Sequence, residues 1–180
     1  MSGAAVGQRA EQPSCDPARF REVMGSFATG VAIVTTVAGD GPHGMTVNSL
    51  TSVSLRPPLL LVCLTRGSRT AAAVMERGEF VVNILGTHQE PLSDAFARRQ
   101  EDHFEDLEVQ TTREGLPVLH AAVGHLVCRV SESHDGGDHH IVVGEVARVA
   151  SVEGTPLIFH RGKYDSLTGR GRDAAFDWYW

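Results

Sequence analysis

The sequence predicts a mainly β protein with short helices, an antiparallel barrel of six to seven strands that is closed or nearly closed. Three observations carry that expectation. Seven β-branched or apolar runs recur along the chain: VAIVTTV (31–37), MTVNSLTSVSL (45–55), LLLVCL (59–64), FVVNIL (80–85), HLVCRV (125–130), IVVGEVARV (141–149) and PLIFH (156–160). Turn-forming clusters separate them, among them Gly39-Asp40-Gly41-Pro42, Arg56-Pro57-Pro58 and Asp135-Gly136-Gly137-Asp138, as antiparallel connections require. Helical texture is confined to short stretches with no regular βαβ alternation, which argues against a parallel sheet, and barrel closure removes exposed edges.

Taken in order, residues 1–15 are rich in Gly, Ala, Gln and Ser and read as a disordered lead-in. The folded domain is expected over 16–168, with 169–180 as a C-terminal tail. Asp16 is placed to cap a helix whose first turn accepts Pro17, because proline lacks an N–H that would go unbonded there anyway. Phe20, Val23, Met24 and Phe27 follow at i, i+3, i+4 and i+7, one apolar stripe of a short amphipathic helix. Two more helices interrupt the strands. One runs from Ser68 to Arg77 and is stopped by Gly78; the other covers Gln89 to Arg99.

Composition excludes several classes. A chain of 180 residues, 42% hydrophobic and 21% charged, fits one soluble globular domain. Its net charge is 16 − 22 = −6, which argues against a nucleic-acid binder, since phosphate backbones demand a basic face. The longest unbroken apolar run, Leu59 to Leu64, falls far short of the ~20 residues that span a bilayer. No apolar leader stands at the N-terminus. Three cysteines, Cys15, Cys63 and Cys128, cannot form a disulfide framework, and two of them sit in apolar runs. Buried free thiols in a reducing cytoplasm are the expectation.

One tempting motif fails on mechanism. Gly39 to Gly44 reads GDGPHG and matches G-x-G-x-x-G literally. That fingerprint needs a strand before it, a helix after it and an acidic residue about 20 positions on. Here a strand follows and the acidic residue is missing, so a hairpin turn is the better account.

The chemistry concentrates elsewhere. From Gly41 to Met75 there is no Asp or Glu, in a chain that has 22, while Arg56, Arg66 and Arg69 all fall in that stretch. An acidic gap of this kind fits either an anion pocket or plain strand burial. Alternation in 46–54 puts Thr46, Asn48, Ser52 and Ser54 on one strand face with Leu50. A row of small neutral donors and acceptors suits the edge of a planar heterocycle, whereas a solvated face more often carries long charged side chains. In Thr65-Arg66-Gly67-Ser68-Arg69-Thr70, Ser68 caps a helix whose first N–H groups make an anion site, with Arg69 and the hydroxyls adding charge-assisted bonds. The bland alternative is a capped helix with solvent-facing arginines. His134-Asp135-Gly136-Gly137-Asp138-His139-His140 has metal-ligand residue types, yet adjacent His139 and His140 point to opposite faces and no second ligand pair has a recognisable spacing. A polar turn that delivers one histidine to a pocket is expected, and no metal.

Together these segments resemble the flavin reductase family, small NAD(P)H:flavin oxidoreductases with an FMN-binding split β-barrel. The matching stretches are FREVMGSFATGVAIVTT (20–36), GMTVNSLTSVSLRPPLLLVCLTRGSRT (44–70), GEFVVNILGTHQEPLSDAFA (78–97), GLPVL (115–119), GDHHIVVGEV (137–146) and PLIFHRGKY (156–164). The resemblance implies flavin-binding roles for Thr46, Val47, Asn48 and Ser49 along the isoalloxazine edge, and for Cys63, Leu64 and Thr65 beside the ring. It also implies that Ser68, Arg69 and Thr70 hold the flavin phosphate. His139 and Tyr164 are implied on the nicotinamide side, an assignment that comes from the resemblance alone. The implied cofactors are FMN or FAD, with NADH or NADPH as co-substrate. The implied partners are a second copy of the chain and a separate flavin-dependent monooxygenase that receives the reduced flavin. No acid or base is called for, because hydride passes between the cofactors themselves. Rival readings are a flavin-dependent oxidase of the pyridoxamine-phosphate kind, a non-catalytic flavin- or haem-binding module on the same barrel, and a metal enzyme using the 134–140 cluster.

Overall fold

The computed structural model describes residues 15–98 and 103–167. The expected lead-in before Cys15, Arg99 of the second expected helix, and the tail 169–180 lie outside the described residues. Chain order is α1 (Pro17–Met24), β1 (Thr29–Gly30), β2 (Ala32–Ala38), β3 (Gly41–Val47), β4 (Thr51–Leu55), β5 (Pro58–Thr65), α2 (Arg69–Arg77) and β6 (Glu79–Ile84). A 3-10 turn (Thr87–Gln89), α3 (Glu90–Ala97), β7 (Val109–Thr111), β8 (Pro117–Leu119), β9 (Gly124–Gly136), β10 (His139–Ser151), β11 (Leu157–His160) and β12 (Lys163–Ser166) complete it.

Seven strands form the main sheet, ordered β3-β2-β6-β9-β10-β5-β4, with every neighbour antiparallel. Its two edge strands, β3 and β4, are consecutive in the chain and joined by Asn48, Ser49 and Leu50, so the sheet curls into the expected barrel. Ser49 pins that junction: its Oγ donates to the Cys63 carbonyl (3.2 Å) and accepts from the Cys63 N–H (3.0 Å). A second sheet, β1-β11-β12, closes one side.

Within the sheet β2 and β6 are buried on both faces, which is why they read as unbroken apolar runs, whereas β5 alternates between buried and part-exposed residues. Along 31–34 the two faces separate with period two. Ala32 and Val34 enter the barrel interior with Val62, Leu64, Phe80, Val82 and Val142. Val31 and Ile33 join Leu85, Phe96, Leu119 and Leu157 on the outside. Gly144 in β10 faces Phe80, whose ring would lie 2.6 Å from an added Cβ. A register shift between Val143 and Gly144 bends the strand at the same point. Asn83 is fully buried and completely bonded: Nδ2 donates to Ile33 O and Thr35 Oγ1, both at 3.0 Å, and Oδ1 accepts from Leu119 N at 2.9 Å.

The helices start where the sequence signals put them. Asp16 accepts from Ala18 N at the start of α1, and Ser68 caps α2, which ends on Gly78 in the left-handed region (φ 71°). Three expectations are corrected. The run 45–55 is two strands rather than one, broken at 48–50 and shifted in register between Ser52 and Ser54, because Ser49 turns inward to bond Cys63. The hydroxyl row therefore does not share one continuous face. The helix expected over Gln89 to Arg99 is shorter: Gln89 closes a 3-10 turn, α3 covers Glu90–Ala97, and Arg98 is already extended. β9 and β10 run well past their apolar centres, to Gly136 and from His139, since their polar ends pair with each other across the hairpin.

Candidate functional site

A cavity of about 550 Å³ opens between β3, the β5–α2 connection and a wall made by the end of α3 with β11 and β12. Enclosed pockets of roughly 300–1,000 Å³ are the size that takes cofactors and small ligands. Two kinds of chemistry line it at different places.

The β5–α2 connection supplies polar groups. Ser68 N donates to Thr65 O (3.1 Å), and Gly67 takes the positive φ (75°) that lets the chain reverse there. Ser68 Oγ accepts from Ala71 N (3.1 Å), fixing the helix start against the cavity. Ser68, Arg69 and Thr70 all line it, Thr70 being 95% buried. A helix N-terminus carries a partial positive charge and outward N–H groups, so this end of the cavity favours an anion. Across from it, on the β2–β3 hairpin, His43 Nε2 lies 2.7 Å from Asp40 Oδ1, and the His43 side chain is only 10% exposed. The His43 contact, helped by the charge of Arg69, holds the Asp40 carboxyl below its ordinary range.

The other wall is aromatic and bonded. Gly44 in β3 allows the Phe96 ring of α3 to approach to 2.5 Å of where a Cβ would stand. Phe104 packs edge-on against Phe96 (centroids 5.2 Å apart, 90°), and His103 stacks on it at 4.9 Å. From β12, the Tyr164 ring meets Phe159 at 5.6 Å. Thr46 Oγ1 donates to Ser93 O (2.7 Å), while the Tyr164 hydroxyl lies 2.8 Å from Ser93 Oγ and donates to Asp94 Oδ1 (3.1 Å). Burial, with the Asp94 carboxylate, pushes the Tyr164 phenol above its usual value.

Of the residues singled out from sequence, Thr46, Val47, Asn48, Thr65, Ser68, Arg69, Thr70 and Tyr164 line this one cavity. Four do not. Leu64 points into the barrel interior and is fully buried, and the hydroxyl of Ser49 is spent on the main chain of Cys63. His139 sits opposite Thr65 in the sheet, its Nε2 3.4 Å from Thr65 Oγ1 and its Nδ1 2.7 Å from Asp138. It therefore reaches the cavity through Thr65. Arg66 is drawn away to Asp135 on the β9–β10 hairpin (2.7 Å), and His134 pairs with Glu132 (2.9 Å). Among the described residues no three His, Cys, Asp or Glu side chains are grouped to hold a metal ion.

The residues missed from sequence are His43, Phe96, Arg98, His103, Phe104 and Phe159, with Ser93 behind them. His43 was within reach, since it belongs to the acid-free stretch on the strand carrying Thr46. The others depend on where α3 and the second sheet pack, which no local pattern encodes.

An antiparallel barrel whose cavity has a capped helix start at one end and an aromatic wall at the other offers the chemistry that an anionic ligand with a flat ring requires. Residues 24–168 match the family described as flavin reductase like domain, and the chain belongs to that family. An NADH-dependent flavin reductase of a Rhodococcus species is 41% identical over 164 residues, covering 89% of this chain and 92% of its own length. The reductase subunit of a flavin-dependent monooxygenase from Mycobacterium tuberculosis is 37% identical over 155 residues, covering 84% and 83%. Among solved structures, the NADH:FAD oxidoreductase of Streptomyces globisporus in complex with NAD and FAD fragments superposes with a TM-score of 0.79 at 35% identity, covering 89% of this chain and 96% of that one.

Proposed function

We propose that this protein reduces flavin with NADH and hands the reduced flavin to a separate monooxygenase. The observation that carries the reading is the anion site of Ser68, Arg69 and Thr70 opening into the cavity bordered by Thr46 to Asn48, in a chain of the flavin reductase-like family. These residues fit a flavin mononucleotide moiety: a charged phosphate needs the helix start, and a flat ring needs the apolar and aromatic lining of the cavity beside β3. Flavin and nicotinamide bring the hydride chemistry themselves when bound.

The protein's own work is placement. Ser68, Arg69 and Thr70 bind the phosphate, and Thr46, Val47 and Asn48 follow the ring edge with main-chain and side-chain groups. Thr65 separates the ring site from His139, which with Tyr164 stands on the nicotinamide side. Bringing two reactants into van der Waals contact converts a bimolecular encounter into an effectively unimolecular step. The aromatic wall of Phe96, Phe104 and Phe159 excludes water from that contact. No residue acts as acid or base.

We place the site beside a homodimer interface. Phe20, Val23 and Met24 form one stripe of α1, and with Phe27 each is more than half exposed. Contiguous apolar surface of this kind on a soluble chain marks an interface. α1 is tied to the β11–β12 turn, where Arg161 N donates to Gly25 O (2.9 Å), so a second copy covering α1 would lie against the wall that carries Phe159 and Tyr164. The cytoplasm suits the free thiols Cys63 and Cys128. The deciding assay is NADH consumption by purified protein, with and without FMN, FAD and riboflavin. Turnover that rises with added flavin supports the reading; none under any flavin refutes it. Light scattering at micromolar concentration should give twice the chain mass.

A further inference from the structure

Ser93 lies in the interior of α3 and is fully buried. Serine is no better than neutral at such a position, because its hydroxyl competes with the helical backbone, and a buried hydroxyl left unbonded is costly. Its partners account for it. The main-chain oxygen accepts from Thr46 Oγ1 of β3 at 2.7 Å, and the side-chain oxygen lies 2.8 Å from the Tyr164 hydroxyl of β12. β3 belongs to the seven-stranded sheet and β12 to the three-stranded one. Thr46 and Tyr164 both line the cavity, whereas Ser93 stands behind it.

We infer that Ser93 is a positioning residue that sets the spacing between the flavin-edge strand and the nicotinamide-side wall by bonding Thr46 and Tyr164 at once. This deepens the functional reading above and rests on it. The two cavity walls come from different sheets, and both bond Ser93 of α3, Thr46 through its main-chain oxygen and Tyr164 through its side chain. Asp94 takes the second contact of the Tyr164 hydroxyl, so the phenol is turned toward α3 and the ring, rather than the hydroxyl, is offered to the cavity. Hydride transfer is steep in distance: a misplacement of about 1 Å can cost on the order of 100-fold in rate. A residue that touches neither ligand can therefore govern the rate through the gap between them.

The test compares Ser93→Ala, Tyr164→Phe and the double variant, measuring FMN affinity, melting temperature and the kinetics of NADH oxidation. Each single variant should lower kcat/KM for NADH by roughly tenfold or more while FMN affinity stays within about twofold. Unchanged FMN affinity also certifies that the variants are folded. The double variant should be no slower than the slower single one, because the side-chain bond that Ser93→Ala removes is already lost in Tyr164→Phe. Losses that multiply in the double variant would overturn the inference. So would a lower melting temperature with unchanged NADH kinetics, or a fall in FMN affinity that parallels the kinetics. Wild-type protein that oxidises no NADH would instead refute the functional reading itself, and this proposal with it, before any variant is made.

Discussion

Replacing Arg69 by alanine tests the proposed phosphate contact. Arg69 is the first residue of α2, lines the cavity and lies close enough to Asp40 to depress its carboxyl. A hydrogen bond to a charged group contributes about 1.5–3 kcal/mol. Arg69 is solvent-exposed, and water screens such contacts, so the lower end applies. At 1.4 kcal/mol per factor of ten, about 1.5 kcal/mol is roughly a tenfold weaker FMN complex. The helix start and Thr70 remain, so binding should weaken without vanishing. The assay is fluorescence titration of FMN and of riboflavin across a salt series. FMN affinity should fall about tenfold in Arg69→Ala and its salt dependence should flatten, since one screened charge has gone. Riboflavin, which has no phosphate, should bind both proteins alike. Equal losses for FMN and riboflavin would refute the reasoning and place Arg69 elsewhere than at the phosphate.

Further outcomes follow from the same geometry. His139→Ala should slow reduction by NADH while FMN affinity holds, because His139 touches the cavity only through Thr65; stopped-flow absorbance measures it, and loss of flavin binding would contradict the assignment. Asn83→Ala strands the Leu119 N–H in the core and should cost on the order of 3 kcal/mol, roughly 6–12 °C in melting temperature; an unchanged melting point by calorimetry would refute the account of that site. Glu114 is bound by both arms of the Arg148 guanidinium, one contact at 2.7 Å, which lowers its carboxyl from 4.5 to about 2. A depressed carboxyl contributes stability in full above its unfolded value, and the contribution is lost as pH falls through the folded one. Denaturation midpoints should thus decline between pH 4.5 and about 2 in the wild type, and more gently in Glu114→Gln.

Much of this was legible in local chemistry. Ser68 and Gly78 bracket α2 because a hydroxyl cap and a left-handed stop are local requirements, readable from adjacent residues. The same logic turned GDGPHG into a hairpin, and the structure places Gly39-Asp40 as the turn between β2 and β3. What escaped is what long-range contact decides. The resemblance implies a ligand role for Ser49, but its hydroxyl closes the barrel seam on Cys63, 14 residues away. The apolar stripe of α1 holds for Phe20, Val23 and Met24, while Phe27 lies past the Gly25 cap, and no residue of the helix is buried within the chain. The Phe96 wall depends on Gly44, whose missing side chain signals nothing until α3 is known to pack there. Ser93 connects to Tyr164 across 71 positions, beyond any periodicity.

The most direct test of the central claim asks where the reduced flavin goes. This protein, with NADH and FMN, is placed on one side of a dialysis membrane under low oxygen, and a flavin-dependent monooxygenase with its substrate on the other. The account predicts that reduced flavin crosses and that product accumulates on the far side in many-fold excess over the reductase. Turnover confined to one equivalent of tightly held flavin, with none reaching the far chamber, would contradict it.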